Sequence, residues 1–285
     1  MATHRPSKRG AMATVADSFA FKKQYPDVLS GTPRAHAIDR WIFVFMAVWF
    51  IAIVLTGFIP DSIKKIGLVQ TGQRPPFPII MHMHAILMGS FLVLLLAQTW
   101  LMATGRTAYH MQLGILAFVL APALVIVGFI LAPTMYHQLW DALQAAPPGS
   151  RDKALAAVSR SENVKLIQLR AGLLFPLFLV IGLRARGANA GLHKRMMILA
   201  TAVPLSAGID RIPWLPSTMP VSPLSLDLGI AAVVSPMFAW DVIRNRSVHK
   251  AYWIWLAAFV PASVLVNALW DTPWWHVTAR QMMGV

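Results

Sequence analysis

The sequence predicts an all-α membrane protein, a bundle of about seven transmembrane helices, and its composition is the first observation behind this prediction. Hydrophobic residues make up 57% of the 285 residues and charged residues only 13%. A soluble domain of this length cannot bury so much apolar surface. The second observation is a series of apolar segments about 20 residues long, the length at which a helix crosses a bilayer. A third observation, a repeated histidine–proline pattern, indicates that the bundle is built from repeated helical hairpins.

Seven segments have the length and apolar character of membrane spans. They are residues 41–59, 78–103, 109–132, 166–183, 193–209, 226–243 and 251–270. The fourth and sixth are shorter and carry Arg170 and Asp227 near their ends. The fifth is a span only if Lys194 and Arg195 extend their charges to the headgroups. Between the third and fourth, residues 134–165 are predicted to form a polar loop with a short surface helix at 151–162.

The spans divide the chain into three parts. Residues 1–40 form a polar arm on the membrane surface, 41–270 the seven-helix transmembrane domain, and 271–285 a short tail at the outer face. Lys and Arg are more frequent in the arm and in the even-numbered loops, which predicts a cytoplasmic N-terminus and an outer C-terminus.

The net charge of +14 indicates contact with the lipid bilayer. Its basic residues flank apolar segments, where they meet anionic headgroups, so no nucleic-acid partner is expected. The chain has no cysteine, which excludes disulfides, thiolate metal sites and thiol catalysis.

Three times, a basic turn leads into a histidine that opens an apolar segment, with a proline about three helical turns further on. The pairs are His110 with Pro122, His193 with Pro204 and His249 with Pro261. The pattern places three imidazoles at the cytoplasmic ends of the third, fifth and seventh spans. Such histidines either bind haem iron or a metal, which requires a second group to fix the ring, or serve as interfacial residues. Asp241 is predicted either to support His249 or to neutralise Arg244.

A second cluster lies at the outer end of the second span. Met81, His84 and Met88 share one helical face, whereas His82 points to nearly the opposite side and joins this metal site only if the helix is frayed there. Thioether and imidazole together suit copper, and histidine with methionine also suits haem iron. The alternative is an ordinary helix end, in which the methionines pack and the histidines meet water.

A third group contains ionisable residues near the ends of the fifth and sixth spans. Asp210, Arg211 and Asp227 are costly at membrane depth, but less so near helix ends. We therefore expect a structural ion pair joining two helices. Gln98 and Asn267, each a lone amide in a span, are expected to form helix–helix hydrogen bonds.

Three strings carry a resemblance to known proteins: HMHAILMGSFLVLLLAQTWLMATGRTAYHMQLG at 82–114, GLHKRMMILATAVPLSAGIDRIPW at 191–214 and WDVIRNRSVHKAYW at 240–253. From about residue 40 to its end the chain resembles an uncharacterised family of bacterial multi-pass inner-membrane proteins. That family has no established activity to transfer.

More loosely, the chain is similar to transmembrane haem b cytochromes, in which four helices supply two histidine pairs. The resemblance implies that His110 and His193 form an inner pair and that His84 is half of an outer pair. The partner of His84 is missing, since the outer ends of the fourth and sixth spans have no histidine.

Two functions from different classes follow. The first is a redox protein of the bacterial inner membrane that binds haem b or copper and passes electrons between a quinol or another small reductant and a partner. The second is a non-catalytic subunit that scaffolds other membrane subunits of a larger complex. A small-molecule transporter is a third reading, favoured by prolines inside five spans.

Overall fold

The computed structural model describes residues 27, 29 and 36–285 and is all-helical over this part of the chain. The helices are α1 (Ala37–Gln70), α2 (Ile79–Ala103), α3 (Thr107–Leu113), α4 (Ala117–Gln144), α5 (Arg151–Ala185), α6 (Ala190–Ala202), α7 (Ser206–Ile209), α8 (Leu224–Asn245), α9 (Lys250–Leu269) and α10 (Pro273–Met283). Most of the predicted arm, 1–40, lies outside the described residues.

Six helical segments of the described chain are long and apolar enough to cross a membrane. They are α1, α2, the continuous segment formed by α3 and α4, α5, α8 and α9. The integral membrane character is confirmed, but the count of about seven and the hairpin repeats are not.

The predicted fifth span corresponds to α6, a 3-10 turn that contains Pro204, and the four-residue α7. Its side chains lie in the centre of the bundle: Met196, Ile198 and Leu199 are fully buried. Apolar residues here pack against the other helices, chiefly α5. A helix wrapped by protein is as apolar as a lipid-facing one, so hydropathy alone could not separate the two.

A close contact between backbones holds this central segment against α1. A Cβ atom added to Gly57 of α1 would lie 2.2 Å from the carbonyl oxygen of Gly208 in α7. Only a residue without a side chain allows the two helices to approach this closely.

The bundle has two ends, which we name for their contents. At the histidine end, α2, α5 and α8 finish and α3, α6 and α9 begin. At the α10 end, α4 passes to α5 and α9 to α10. The segment Thr107–Gln144 has 38 residues, about 57 Å of helix, whereas a bilayer core is about 30 Å thick. It therefore extends beyond the bilayer at the α10 end.

One prediction about the α10 end is corrected. The loop at 134–165 is mostly helical, because α4 continues to Gln144 and α5 begins at Arg151, and His137 lies on α4. The predicted helix at 151–162 is present as the first part of α5. The tail at 271–285 contains α10, which packs on α5 and α4.

Candidate functional site

Two histidines meet at the histidine end. His110 lies on α3, just after a turn in which Gly105 has a φ of 78°, a conformation that favours glycine. His193 lies on the first turn of α6, which Asn189 caps by accepting a hydrogen bond from the Leu192 N–H at 2.8 Å. The two imidazole centroids are 6.4 Å apart, and the ring planes are nearly perpendicular, at 80°.

Each imidazole is oriented by a backbone carbonyl of the preceding helix. The Nδ1 atom of His110 lies 3.3 Å from the Gln98 oxygen, and that of His193 lies 2.8 Å from the Gly182 oxygen. A carbonyl oxygen only accepts, so Nδ1 must carry the hydrogen in both rings. In a neutral imidazole, Nε2 then keeps its lone pair. This is the tautomer in which histidine coordinates a metal through Nε2.

His110 and His193 are the two side chains at this end that would hold a metal ion or a haem iron, each through Nε2. The described residues contain no group of three or more His, Asp or Glu side chains suited to a metal. A pair of axial ligands to a haem requires only two.

His249 occupies a different position. It is the N-cap of α9, and its Nδ1 accepts a hydrogen bond from the Ala251 N–H at 3.1 Å. Nε2 therefore carries the hydrogen of the neutral ring, the opposite tautomer to that of the pair. Burial, with the nearby positive charge of Arg195, lowers the pKa of His249 to about 4. Of the three imidazoles predicted at this end, His110 and His193 therefore lie together, whereas His249 caps a helix.

Arg195 forms the centre of a buried ionic network beside His249. Its fully buried guanidinium donates to both carboxylate oxygens of Asp241, at 2.5 and 2.8 Å, and to Asp27 at 2.7 Å. Arg244, the other predicted partner of Asp241, pairs with Asp39 at 2.9 Å. The charge of Arg195, which hydropathy places at the membrane surface, is therefore neutralised inside the bundle.

The predicted outer cluster lies on a regular part of α2. Met81, His84 and Met88 are partly buried on one face, and the exposed His82 stacks edge-on against Phe77 with centroids 6.2 Å apart. His84 faces α4 at Gly128, and its Nδ1 atom is buried without a hydrogen-bond partner among the described residues. The structure thus brings His84 and the two methionines to one side, with His82 apart from them.

The predicted ion-pair residues each take a partner outside their own group. Arg211 binds Asp61 of α1 at 3.1 Å, and Asp210 lies 3.7 Å from Arg160 of α5. Asp227 of α8 pairs with Arg170 of α5. The Arg170–Asp227 contact joins α5 to α8, and the other two join the turn after α7 to α1 and α5.

The Arg170–Asp227 pair is buried between α5, α8 and α9. Ser263 accepts a hydrogen bond from Arg170 at 2.7 Å, and Asn267 donates to Asp227 at 3.0 Å. The prediction for Asn267 is therefore confirmed. Gln98 differs: its side-chain atoms are buried without a partner in the described part of the chain. Its backbone oxygen instead holds His110.

Sequence reasoning missed a hub at the α10 end. The fully buried Glu162 accepts hydrogen bonds from Tyr136 at 3.0 Å and Arg280 at 2.8 Å, and lies 2.5 Å from Nδ1 of His276. The other ring nitrogen of His276 lies 3.0 Å from Asp271, and this contact lowers the pKa of Asp271. The sequence held one signal, since Glu162 is the only glutamate of the chain.

No known protein family, curated protein or solved structure matches this chain.

Proposed function

We propose that this integral membrane protein binds haem b between His110 and His193 and passes electrons through it. The observation that carries the proposal is the shared geometry of the two rings. Both donate from Nδ1 to a backbone carbonyl, both keep Nε2 for coordination, and their centroids are 6.4 Å apart. When bound, a haem supplies a one-electron redox centre whose potential depends on its axial ligands and surroundings.

The chain contributes the orientation of the ligands. The carbonyl oxygens of Gln98 and Gly182 belong to the long helices α2 and α5, so each ring is held by an element that cannot rotate freely. A histidine fixed in this way loses little freedom on coordination and is a better ligand. The resemblance to haem b cytochromes, drawn from the sequence, implies the same two histidines.

The absorption spectrum of the purified protein tests the proposal. We expect a Soret band and reducible visible bands, lost in His110→Ala and in His193→Ala because each removes an axial ligand. His249→Ala is the matched control, since it removes an imidazole at the same end that has the other tautomer, and its spectrum should stay intact. A colourless preparation from haem-supplied cells, or unchanged spectra in both ligand variants, would contradict the proposal.

The electron donor proposed here is a quinol or another small reductant, and the acceptor a further membrane subunit.

At the other predicted site, Met81, His84 and Met88 lie on one face, which supports copper or haem binding there with His84 rather than His82 as the ligand. Copper at this site stays a prediction from the sequence.

A transporter is the second candidate, favoured by one observation. Nε and Nη2 of the buried Arg170 have no hydrogen-bond partner among the described residues. Ionisable residues at membrane depth are costly and commonly mark a transport path. A colourless, metal-free protein would favour this candidate or a scaffolding subunit.

We further propose that the histidine end faces the cytoplasm of a bacterial cell, because of the bias in Lys and Arg. The structure supports opposite sides for Arg186, at the histidine end, and Val285, which follows α10. A reporter fused after Val285 should be active only in the periplasm, and one inserted at Arg186 only in the cytoplasm. Reporters that agree on one side would refute this orientation.

A further inference from the structure

An open groove runs between α4 and α5 in the half of the bundle nearest the histidine end. Its volume is about 820 Å³, within the roughly 300–1,000 Å³ of small-molecule sites. α4 contributes residues from Ala117 to Ile126, and α5 with the turn that follows it contributes residues from Pro176 to Gly187. The walls are apolar along almost the whole length, so the groove suits a hydrocarbon chain.

The groove ends at two arginines. Arg184 and Arg186 are exposed, and within the described residues neither has a carboxylate within ion-pair distance. The guanidinium of Arg186 lies over the ring of Phe118, itself part of the groove wall, at 5.3 Å from the centroid. This contact holds one positive charge at the mouth of the groove. The groove lining contains no acidic residue.

The dimensions of the groove match one leaflet of a membrane. From Pro176 to Ala185, α5 rises about 14 Å, close to half of the roughly 30 Å hydrocarbon core. Ile126 and Val180 in the walls are 59% and 45% exposed. In a bilayer, this surface meets lipid chains rather than water.

We propose that the groove is a binding site for one anionic phospholipid. An acyl chain lies between α4 and α5, and the phosphate is bound by Arg184 and Arg186. Two cations with no carboxylate partner among the described residues favour a headgroup with net negative charge over a zwitterionic one, and the apolar length favours a lipid over a free phosphate. The proposal does not depend on haem binding.

The test uses the full-length protein, delipidated in detergent and returned to mixed micelles with phosphatidylglycerol or with phosphatidylcholine of the same chains. We expect phosphatidylglycerol to raise the melting temperature by several degrees more than phosphatidylcholine. The double variant Arg184→Gln/Arg186→Gln should lose this difference. Its matched control is Arg151→Gln/Lys153→Gln, which removes two charges at the same spacing from the other end of α5 and should keep the difference.

A second variant separates the groove from the charges. Val180→Trp fills the groove and leaves both arginines, so it should also abolish the preference for phosphatidylglycerol. Leu173→Trp, at an exposed position of α5 outside the groove, should not. Equal stabilisation by both lipids would overturn the proposal. So would a lipid difference that persists in Arg184→Gln/Arg186→Gln or in Val180→Trp, or the same rise in melting temperature from glycerol phosphate alone.

Discussion

His276 at the α10 end and the His110–His193 pair at the histidine end use their ring atoms differently. His276 lies between two carboxylates, with Nδ1 2.5 Å from Glu162 and Nε2 3.0 Å from Asp271. His110 and His193 each use Nδ1 for a backbone carbonyl. A ring with both nitrogens in use joins parts of the fold. A ring held by one nitrogen has the other available for a ligand.

The histidine end contains polar groups whose hydrogen-bonding atoms are all used within the fold, and others that have one such atom left for a ligand. Arg195 uses all three guanidinium nitrogens on Asp241, Asp27 and the Gly191 carbonyl, so it serves the fold. Disrupting such saturated groups should therefore unfold or loosen the protein. In the cofactor-free protein, replacing His110 or His193 should have a small cost in stability, about 0.5–1.5 kcal/mol for one hydrogen bond.

The largest effect should come from Arg195→Met. The change leaves Asp241, fully buried, without its charge partner, and breaking a buried ion pair in this way costs about 3–5 kcal/mol. The melting temperature in detergent measures the loss. Arg151→Met, at an exposed site at the start of α5 and outside the groove, is the control and should change stability by less than about 0.5 kcal/mol. Equal melting temperatures for the two variants would show that Arg195, with all its hydrogen bonds formed, stabilises the fold no more than an exposed arginine does.

A smaller effect is expected from Glu162→Gln. The neutral amide keeps the shape of the side chain but weakens the bonds from Arg280 and His276, each worth about 1.5–3 kcal/mol when charged. Helix α10 should then detach more often. Because the chain has no cysteine, maleimide labelling of Ala279→Cys, a position that is 1% exposed, reports this opening directly.

The control for labelling is Asp152→Asn, which removes an exposed carboxylate from α5, the helix that carries Glu162. Labelling should become faster with Glu162→Gln and stay unchanged with Asp152→Asn. If Glu162→Gln labels no faster, then the hub does not hold α10.

The smallest effect concerns His249 and pH. Its pKa falls from 6.5 to about 4 on folding, so the unfolded chain binds the proton more readily than the folded one. The stability from this group is therefore present above pH 6.5 and is lost as pH falls from 6.5 towards 4. We expect a loss on the order of 1 kcal/mol between pH 7.5 and 5.5.

Melting temperatures across this range test the assignment. Asn is also a good N-cap but does not titrate, so His249→Asn should flatten the acid side of the profile. An unchanged profile would show that other groups carry the acid sensitivity.

The sequence predicted the membrane class, and it predicted that His110 and His193 lie at the same end of the bundle, for physical reasons. Apolar runs reveal spans because lipid-facing residues must be apolar, and the repeated motif placed His110 and His193 at the same depth. Length and hydropathy could not show that 193–209 is wrapped by protein, since packing depends on the neighbours. Nor could they show that the carbonyls of Gln98 and Gly182 bind the two imidazoles, because every residue has a carbonyl and only the fold decides which one lies near each ring.

Helix α10 was missed although its signals are local. Thr272 caps it by accepting from the Trp275 N–H at 3.2 Å, and Pro273 occupies the first position, where its missing N–H has no cost. The Glu162 hub could not be predicted in the same way. Its partners are separated by up to 118 residues from it, so a lone glutamate marked the place but not the contacts.

The length of the segment from Thr107 to Gln144 has a practical consequence for imaging. A small membrane protein hidden in a detergent micelle offers few features by which single particles can be aligned in the electron microscope. Here about 57 Å of helix exceeds the roughly 30 Å core, and α10 packs on α4 and α5 and binds Glu162, so the excess forms a folded projection. An antibody fragment raised against that projection would give each particle a fixed orientation mark.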